Sequence, residues 1–208
     1  MNLPNEPTTI EQLPLFPLRA VLFPGSSLRL RIFERRYIDL IRDSMRDGNG
    51  FGIPAIKSGN EAGTPVTPFE IGTLASVVDW DQGKDGLLSI VVLGTRRFHL
   101  HATRVDTTGL LVGTVTWMAS QPAQPIAPES SDLLALLQAL YSLEADHAGQ
   151  PDSVPEDTEQ LVYRIIERLP VPTVEQVALL AMSTVDAQLA FCQRQVARLV
   201  KGRAQRPH

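Results

Sequence analysis

The sequence is poor in several residue types, and each shortage removes a class of protein from consideration. Cys192 is the only cysteine, so no internal disulfide can form and a disulfide-stabilised secreted scaffold is excluded. No apolar run approaches the length of a membrane-spanning helix. The opening MNLPNEPTTIEQ has neither the basic start nor the apolar centre of a signal peptide. These absences predict a cytoplasmic protein that does not enter a membrane.

Lysine is also scarce, and two kinds of catalytic machinery are missing with it. The three lysines are Lys57, Lys84 and Lys201, and none lies in a Gly-x-x-x-x-Gly-Lys-Ser/Thr loop, which would cradle phosphates. All three lie in loop or tail contexts, where nothing would desolvate an amine into the general base of a serine–lysine peptidase. The sequence therefore predicts neither ATP hydrolysis nor proteolysis, and it indicates no cofactor.

The residues that most often bind metals or act as nucleophiles are isolated from one another. His99 and His101 lie two apart on a predicted strand, so both imidazoles face the same side. A third ligand is not evident nearby, and Arg104 would repel a cation. Cys192 falls on the apolar stripe of the last predicted helix, where a cysteine packs as a small hydrophobe. We therefore predict no metal site and no catalytic residue.

Overall composition is that of an ordinary globular protein. The chain has 208 residues, of which 43% are hydrophobic and 20% charged, enough for one large domain or two small ones. A formal net charge of −4 gives no general attraction to nucleic acid or to anionic membrane. Arginine is concentrated near the start, however, where seven of the sixteen lie: Arg19, Arg29, Arg31, Arg35, Arg36, Arg42 and Arg46.

A strict alternation follows the Pro-Gly turn at positions 24–25. Leu28, Leu30 and Ile32 share one face of a predicted strand, and Arg29 and Arg31 share the other. A register slip of one residue would bury two guanidinium groups at high cost. We therefore expect the three apolar side chains to be buried and the two arginines to point away from the core.

The rest of the first half reads as strands around one helix. The run 13–18 contains two prolines, each of which withholds a ladder N–H, so it is predicted to be an edge strand or a strand end. Apolar residues at helical spacing predict a helix over 34–46. Further strands are predicted at 51–56, 71–79, 87–93, 97–105 and 110–117. Short strands at this spacing indicate a barrel-like β unit with an embedded helix.

Composition changes at 120–128, where three prolines predict a semi-rigid connector. Amphipathic helices are predicted after it, with starts at Ser131 or Asp132, at the capping box 153–156, at Thr173 and near Asp186. Four such helices with short connections indicate a bundle. The predicted fold is therefore α+β, with a β-barrel domain over 1–120 and an α-helical subdomain over 121–208.

Five short motifs occur in order along the first half: the strand–turn–strand segment 13–32, FERRYIDLI at 33–41, Gly-x-Glu-x-Gly at 59–63, Ile-Gly-Thr at 71–73 and Gly-x-x-Arg-Phe at 94–98. Together they resemble the Lon substrate-binding domain in its free-standing form, without an attached protease. The resemblance covers about residues 13–118. It implies a pseudo-PUA-like barrel followed by a helical bundle, and a non-catalytic module that recognises unfolded or degron-bearing polypeptide for delivery to a separate protease.

Two sets of residues are candidates for binding. Trp80 and Trp117 stand at predicted strand ends, where an exposed aromatic side chain can line a groove for peptide, although each fits an ordinary core or rim position equally well. Arg36, Glu61 and Arg97 come from the family-matching motifs and are expected to meet as an ion-paired cluster near the barrel mouth. A structural buttress is the preferred interpretation of that cluster over ligand contact.

Other functions remain open from sequence. PUA-like barrels often bind RNA, and the early arginines supply cations, so an RNA-binding module is the alternative. Net negative charge and the lack of interleaved aromatic and basic residues count against it, and acidic neighbours such as Asp39 and Asp43 are spaced to pair with Arg42 and Arg46. A small-molecule enzyme is a third interpretation, for which the sequence offers no catalytic constellation. No oligomeric state is indicated.

Overall fold

A computed structural model describes residues 10–59, 66–83, 86–144 and 154–204. Contacts divide the chain into two compact units, Met1–Ser120 and Gln121–His208. The first unit contains the strands β1 (Ile10–Leu15), β2 (Ser27–Ile32), β3 (Phe51–Ser58), β4 (Thr67–Gln82), β5 (Leu88–Val105) and β6 (Leu111–Trp117), with helix α1 (Arg35–Asp47). The second contains α2 (Ser131–Glu144), α3 (Thr158–Arg168), α4 (Thr173–Leu180) and α5 (Val185–Ala204). The fold is α+β, as predicted.

The six described strands form one mixed sheet in the order β2-β5-β4-β3-β1-β6, with a further pairing between β5 and β6. Only β1 and β3 run parallel, and every other pairing is antiparallel. The 18-residue β5 pairs with β2, β4 and β6 along different parts of its length. Strand β5 therefore joins β2, β4 and β6 into one sheet.

The sequence suggested two separate strands at 87–93 and 97–105, and this was wrong, since β5 continues through Gly94. Gly94 donates from its N–H to the carbonyl of Ser26 and accepts from the N–H of Gly25, each at 2.9 Å. A side chain at this position would collide with the carbonyl of Phe23. The glycine is thus a site of close backbone approach rather than a strand break.

Strand β1 ends at Leu15, so the prediction of a strand end is confirmed, but β1 is not an edge, because it pairs with both β6 and β3. The parallel pairing of β1 with β3 is short. Phe16 donates to the carbonyl of Gly52 at 2.8 Å, and Leu18 donates to that of Pro54 at 3.2 Å. Pro54 has no N–H to return, so one rung of this ladder is missing.

The alternation predicted for β2 is present. Arg29 and Arg31 are exposed, Ile32 is buried, and Leu28 and Leu30 are half-buried against the same core. Full burial was expected for all three apolar residues. Only Ile32 reaches it, since β2 is the terminal strand of the sheet order and β5 is its one described neighbour in the sheet.

Helix α1 packs on the sheet through Tyr37, Leu40 and Ile41, which lie three and four residues apart on one face. They join a core that includes Phe16, Phe51, Ile53, Ile90 and Val92. The helix begins one residue after the predicted start and ends at Gly48, whose φ of 68° is the left-handed geometry that glycine accepts readily. A second cluster lies between β1, β5 and β6: Leu13, Leu15, Phe98, Leu100 and Val115.

The second unit is helical, as predicted, with one boundary corrected. Helix α3 was expected to open at the capping box 153–156. It begins instead at Thr158, where the Asp157 carboxylate accepts from the Gln160 N–H at 2.8 Å, and Ser153 lies outside the described residues. Its buried residues include Leu161, Ile165 and the nearly inaccessible Tyr163. Within the described part of the chain, no helix has the length and apolar character needed to cross a membrane.

Candidate functional site

A groove with a volume of about 390 Å³ lies between strand β1 and helix α1. We call it the α1–β1 groove. Its described lining residues come from β1, from α1 and the turn after it, and from single positions on β4 and β6. They are Glu11, Gln12, Leu13, Pro14, Leu40, Asp43, Ser44, Asp47, Asn49, Gly50, Leu74 and Trp117.

The inner part of the groove is apolar. Leu13 and Leu40 are each 7% exposed, and half-buried Leu74 packs beside the cluster that contains Leu13. Gly50 is also part of the lining, at a point where any side chain would collide with the carbonyl of Ala75. The close approach of this turn to β4 brings the end of α1 near the sheet, and a cleft remains beside β1. The apolar floor can therefore accept an apolar side chain.

Trp117 contributes the one aromatic ring of the described groove lining. The side chain is half-buried at the end of β6. Its ring meets Phe98 edge to face, with centroids 6.4 Å apart and an interplanar angle of 88°. The Arg96 guanidinium lies 4.5 Å from the indole centroid in a cation–π contact. These contacts hold the indole in place and leave part of it available to the groove.

The groove rim carries carboxylates. Asp43 and Asp47 are four residues apart on α1, and Glu11 projects from β1. Arg46 bridges the two aspartates, with its Nη1 3.0 Å from Asp43 and its Nε 2.8 Å from Asp47. The hydrogen bond from Arg46 holds the pKa of Asp47 below its usual range, and the pKa of Arg46 is raised in turn. Arg46 stays 63% exposed, so the pair is open to competition from solvent or a ligand.

The arginines of α1 are paired within the helix. Arg42 lies 2.8 Å from Asp39, and Arg35 lies 3.1 Å from the same carboxylate. The Asp39–Arg42 and Asp43–Arg46 contacts are the i,i+3 pairs expected from the sequence, and the i,i+4 pair of Arg35 with Asp39 adds to them. The interpretation of the α1 arginines as a self-neutralised solvated face is therefore confirmed for these three side chains.

The two tryptophan candidates stand apart. Trp80 is 57% exposed on β4, where it lies opposite Ile90 of β5. Trp117 lies opposite Phe98, eight residues farther along the same strand. Trp80 does not line the α1–β1 groove, whereas Trp117 does. The structure thus separates two residues that the sequence treated alike.

Arg36 braces the turn between β5 and β6. Its Nε donates to Glu34 at 2.9 Å, its Nη1 donates to the carbonyl of Gly109 at 2.9 Å, and its guanidinium lies 4.7 Å from the Tyr37 ring centroid. The same turn is ordered by Asp106, which accepts from the hydroxyl and N–H of Thr108. These bonds, led by the Thr108 hydroxyl, lower the pKa of Asp106.

Arg97 is 5% exposed, and its Nη2 donates to the carbonyl of Ala119 at 3.3 Å. This bond and the one from Arg36 Nη1 go to main-chain carbonyls, and Arg36 Nε pairs with the Glu34 carboxylate, which suits a buttress better than a ligand contact. Glu61 lies outside the described residues. The expected meeting of Arg36, Glu61 and Arg97 in one cluster therefore stays a prediction.

The remaining chemical candidates are two neighbouring histidines and one buried cysteine. The His99 and His101 rings lie 4.6 Å apart, and His101 Nε2 is 2.9 Å from the Thr116 hydroxyl. Among the described residues, no group of three His, Cys, Asp or Glu side chains could hold a metal ion. Burial raises the pKa of the Cys192 thiol to about 12, so this cysteine is not an activated nucleophile.

Sequence reasoning found Trp117 but missed the groove around it. The lining comes from positions 11–14, 40–50, 74 and 117, which only tertiary structure brings together. One local signal was available. Leu40, Asp43, Ser44 and Asp47 follow helical spacing, so a shared apolar and acidic face of α1 could be read before the structure was known.

Comparison with protein families gives one match that spans most of the chain. The family model of the ATP-dependent protease La (LON) substrate-binding domain matches residues 12–198. Lon protease 2 of Myxococcus xanthus is 31% identical over 98 residues, which are 46% of this chain and 12% of that protein. Lon protease 1 of Bdellovibrio bacteriovorus is 29% identical over 163 residues, 74% of this chain and 19% of that protein. The chain spans less than a fifth of the length of these curated relatives.

Solved structures give the same result. A Lon N-terminal domain protein from Xanthomonas campestris is similar with a TM-score of 0.69 and 33% identity, over 95% of this chain and 100% of that one. The N-terminal domain of a Lon protease from the Mycobacterium avium complex gives a TM-score of 0.58 at 14% identity, over 90% and 98% of the two chains. The second likeness shows the fold alone.

Proposed function

The chain belongs to the family of the ATP-dependent protease La (LON) substrate-binding domain, and from this premise we propose that it is a non-catalytic module that binds polypeptide. The proposed ligand is an unfolded or degron-bearing segment, held in the α1–β1 groove. Family membership supports the ligand class, and the groove supports the location.

The single observation that carries this proposal is the combination of an apolar floor with the half-buried indole of Trp117. Leu13, Leu40 and Leu74 line the same groove as that indole, so an apolar side chain of a ligand would exchange water for carbon contacts there. A volume of about 390 Å³ falls within the range of roughly 300–1,000 Å³ that ligand pockets occupy. Unfolded polypeptide is the biological material that exposes such side chains in an extended chain.

The architecture of the first unit suits a rigid scaffold that presents a binding groove. The pairings β5–β4, β4–β3, β3–β1, β1–β6 and β6–β5 return to the starting strand, which supports a small pseudo-PUA-like barrel with α1 packed on it. Helices α2 to α5 support a helical bundle in the second unit. We propose that the barrel forms a domain over 1–120 and the bundle a second domain over 121–208. The groove lies wholly within the first of these.

A module of this kind would act through another protein. The motifs for ATP hydrolysis and for serine–lysine proteolysis are missing from the 208 residues. We therefore propose an adaptor role in protein quality control, in which the bound segment passes to a separate protease in the cytoplasm. The relatives matched along the sequence are whole Lon proteases, so a protease is the partner that family membership suggests. The groove supports the binding of the segment that would be passed on.

Binding of an apolar peptide tests the proposal. A fluorescein-labelled peptide with a Leu-Phe-Leu centre and glutamine flanks should raise the anisotropy on addition of the full chain, with little dependence on salt. Trp117→Ala should weaken this binding roughly ten- to a hundredfold, from the loss of one buried aromatic contact. Trp80→Ala is the matched control, because it removes the same side chain from outside the groove, and it should leave the affinity unchanged.

Thermal unfolding of both variants shows whether they remain folded. Affinity that falls for Trp80→Ala and not for Trp117→Ala would move the site away from the groove. Absence of peptide binding, together with tight and strongly salt-dependent binding of a labelled single-stranded RNA, would replace the proposal by the RNA-binding alternative.

A further inference from the structure

All the charged side chains in the described lining of the α1–β1 groove are acidic, while Arg46 pairs with two of them and Arg96 stacks on Trp117 from outside the lining. Glu11, Asp43 and Asp47 line the groove, and none of the twelve lining residues that the structure describes is a lysine or an arginine. Carboxylates are negatively charged at neutral pH. A segment seated on the apolar floor would therefore meet acidic groups from both walls, β1 on one side and α1 on the other.

The two walls have similar lengths. Glu11 to Pro14 is a rise of about 10 Å at roughly 3.3 Å per strand residue, and Leu40 to Asp47 is a rise of about 10 Å at roughly 1.5 Å per helix residue. An extended chain also rises about 3.3 Å per residue, so the groove holds roughly three residues. A central side chain can reach the floor while its neighbours lie beside the rim.

Resting on the proposed function, we infer that the groove selects polypeptide segments in which a large apolar residue is flanked by lysine or arginine. The apolar side chain fills the space between Leu40, Leu74 and Trp117, and the flanking cations face the three carboxylates. Segments flanked by glutamate or aspartate are disfavoured by like-charge repulsion.

Arg46 is a built-in competitor for these cations. Its guanidinium lies 3.0 Å from the Asp43 carboxylate and 2.8 Å from that of Asp47, and the Arg46 side chain is 63% exposed. An incoming cation must share both carboxylates with Arg46 or displace it. Loss of the Arg46 charge should therefore strengthen the binding of a cationic segment, whereas loss of Glu11 should weaken it.

Three labelled peptides with a single central phenylalanine, flanked on each side by two lysines, two glutamines or two glutamates, test the selectivity, by anisotropy with the full chain. The lysine peptide should bind roughly two- to tenfold more tightly than the glutamine peptide, as expected for one or two exposed ion pairs, and the glutamate peptide more weakly. These differences should shrink as the salt concentration rises.

Three charge-removing variants locate the effect. Glu11→Gln should weaken the binding of the lysine peptide about two- to fivefold, and Arg46→Gln should tighten it by a similar factor. Arg35→Gln changes the net charge as Arg46→Gln does, but its partner Asp39 is not among the described lining residues, so Arg35→Gln should leave the affinity for the lysine peptide unchanged.

The outcomes separate the two proposals. Equal affinity for all three peptides, or the same gain from Arg35→Gln as from Arg46→Gln, would overturn the inferred selectivity and leave the binding function in place. A tighter glutamate peptide would also overturn it. If neither these three peptides nor the Leu-Phe-Leu peptide binds, the proposed function itself fails.

Discussion

The rings of Phe16 and Tyr37 stack with centroids 3.9 Å apart and an interplanar angle of 14°. Phe16 immediately follows β1, and Tyr37 lies in the first turn of α1. The contact therefore joins the two elements that form the walls of the α1–β1 groove. Both rings are 8% exposed and belong to the main core of the first unit.

Truncation of this stack should destabilise the protein strongly. Phe16→Ala removes a buried aromatic ring and leaves a cavity beside Tyr37, at an expected cost of about 3–5 kcal/mol in the free energy of unfolding, measured by urea denaturation. Phe33→Ala is the control, because Phe33 is 66% exposed and its loss should cost far less. Equal losses in the two variants would show that the stack does not stabilise the fold.

Asp106 should give the turn between β5 and β6 a dependence on acid. Hydrogen bonds led by that from the Thr108 hydroxyl lower the pKa of Asp106 from 3.8. Its stabilising effect is therefore present above pH 3.8 and lost as the pH falls through the lower folded-state value. Asp106→Asn keeps an acceptor oxygen and removes the charge, so it should be less stable than the parent at pH 7 by about 1 kcal/mol or less.

The difference in unfolding free energy between the parent and Asp106→Asn should shrink between pH 5 and 2, as measured by urea denaturation along a pH series. Other carboxylates contribute equally to both proteins and cancel in the difference. A difference that stays constant over this range would mean that the Asp106 charge does not stabilise the turn.

Cys192 should be unreactive in the folded protein. Its side chain is fully buried in α5, and burial raises the thiol pKa to about 12, so almost no thiolate exists at pH 8. A thiol reagent that absorbs on reaction should modify it only as fast as the second unit opens, and at once in denaturant. Rapid modification under native conditions would contradict both the burial and the raised pKa.

Prediction from sequence succeeded where short-range patterns decide the outcome. The alternation around Arg29 and Arg31 and the helical spacing of Tyr37, Leu40 and Ile41 depend on neighbours within one element, and both are present. The continuity of β5 through Gly94 was missed because it depends on a close approach by the distant segment 23–26.

The groove was missed for the same reason. Leu13, Leu74 and Trp117 become neighbours only through the register of β1 with β6 and the packing of α1 on the sheet. Local propensity does not encode these long-range pairings. Similarly, nothing in the patterns around Trp80 and Trp117 distinguished the exposed ring from the one that lines the groove.

The two tryptophans provide an internal test of where a peptide binds, because the chain has only these two. Trp80→Phe leaves Trp117 as the sole reporter, and Trp117→Phe leaves Trp80. Trp117 is half-buried and should emit at shorter wavelength than Trp80, which is 57% exposed. A peptide with a Leu-Phe-Leu centre contains no tryptophan, so the emission comes from the protein alone.

Addition of that peptide should shift the Trp117 emission to the blue and protect it from acrylamide quenching, because apolar contact excludes water from the exposed part of the indole. The Trp80 emission and quenching should not change, because Trp80 lies outside the groove lining. The concentration at half-maximal protection of Trp117 should equal the dissociation constant from anisotropy. If the peptide protects Trp80 and leaves Trp117 accessible, the binding surface lies on the exposed face of β4 instead.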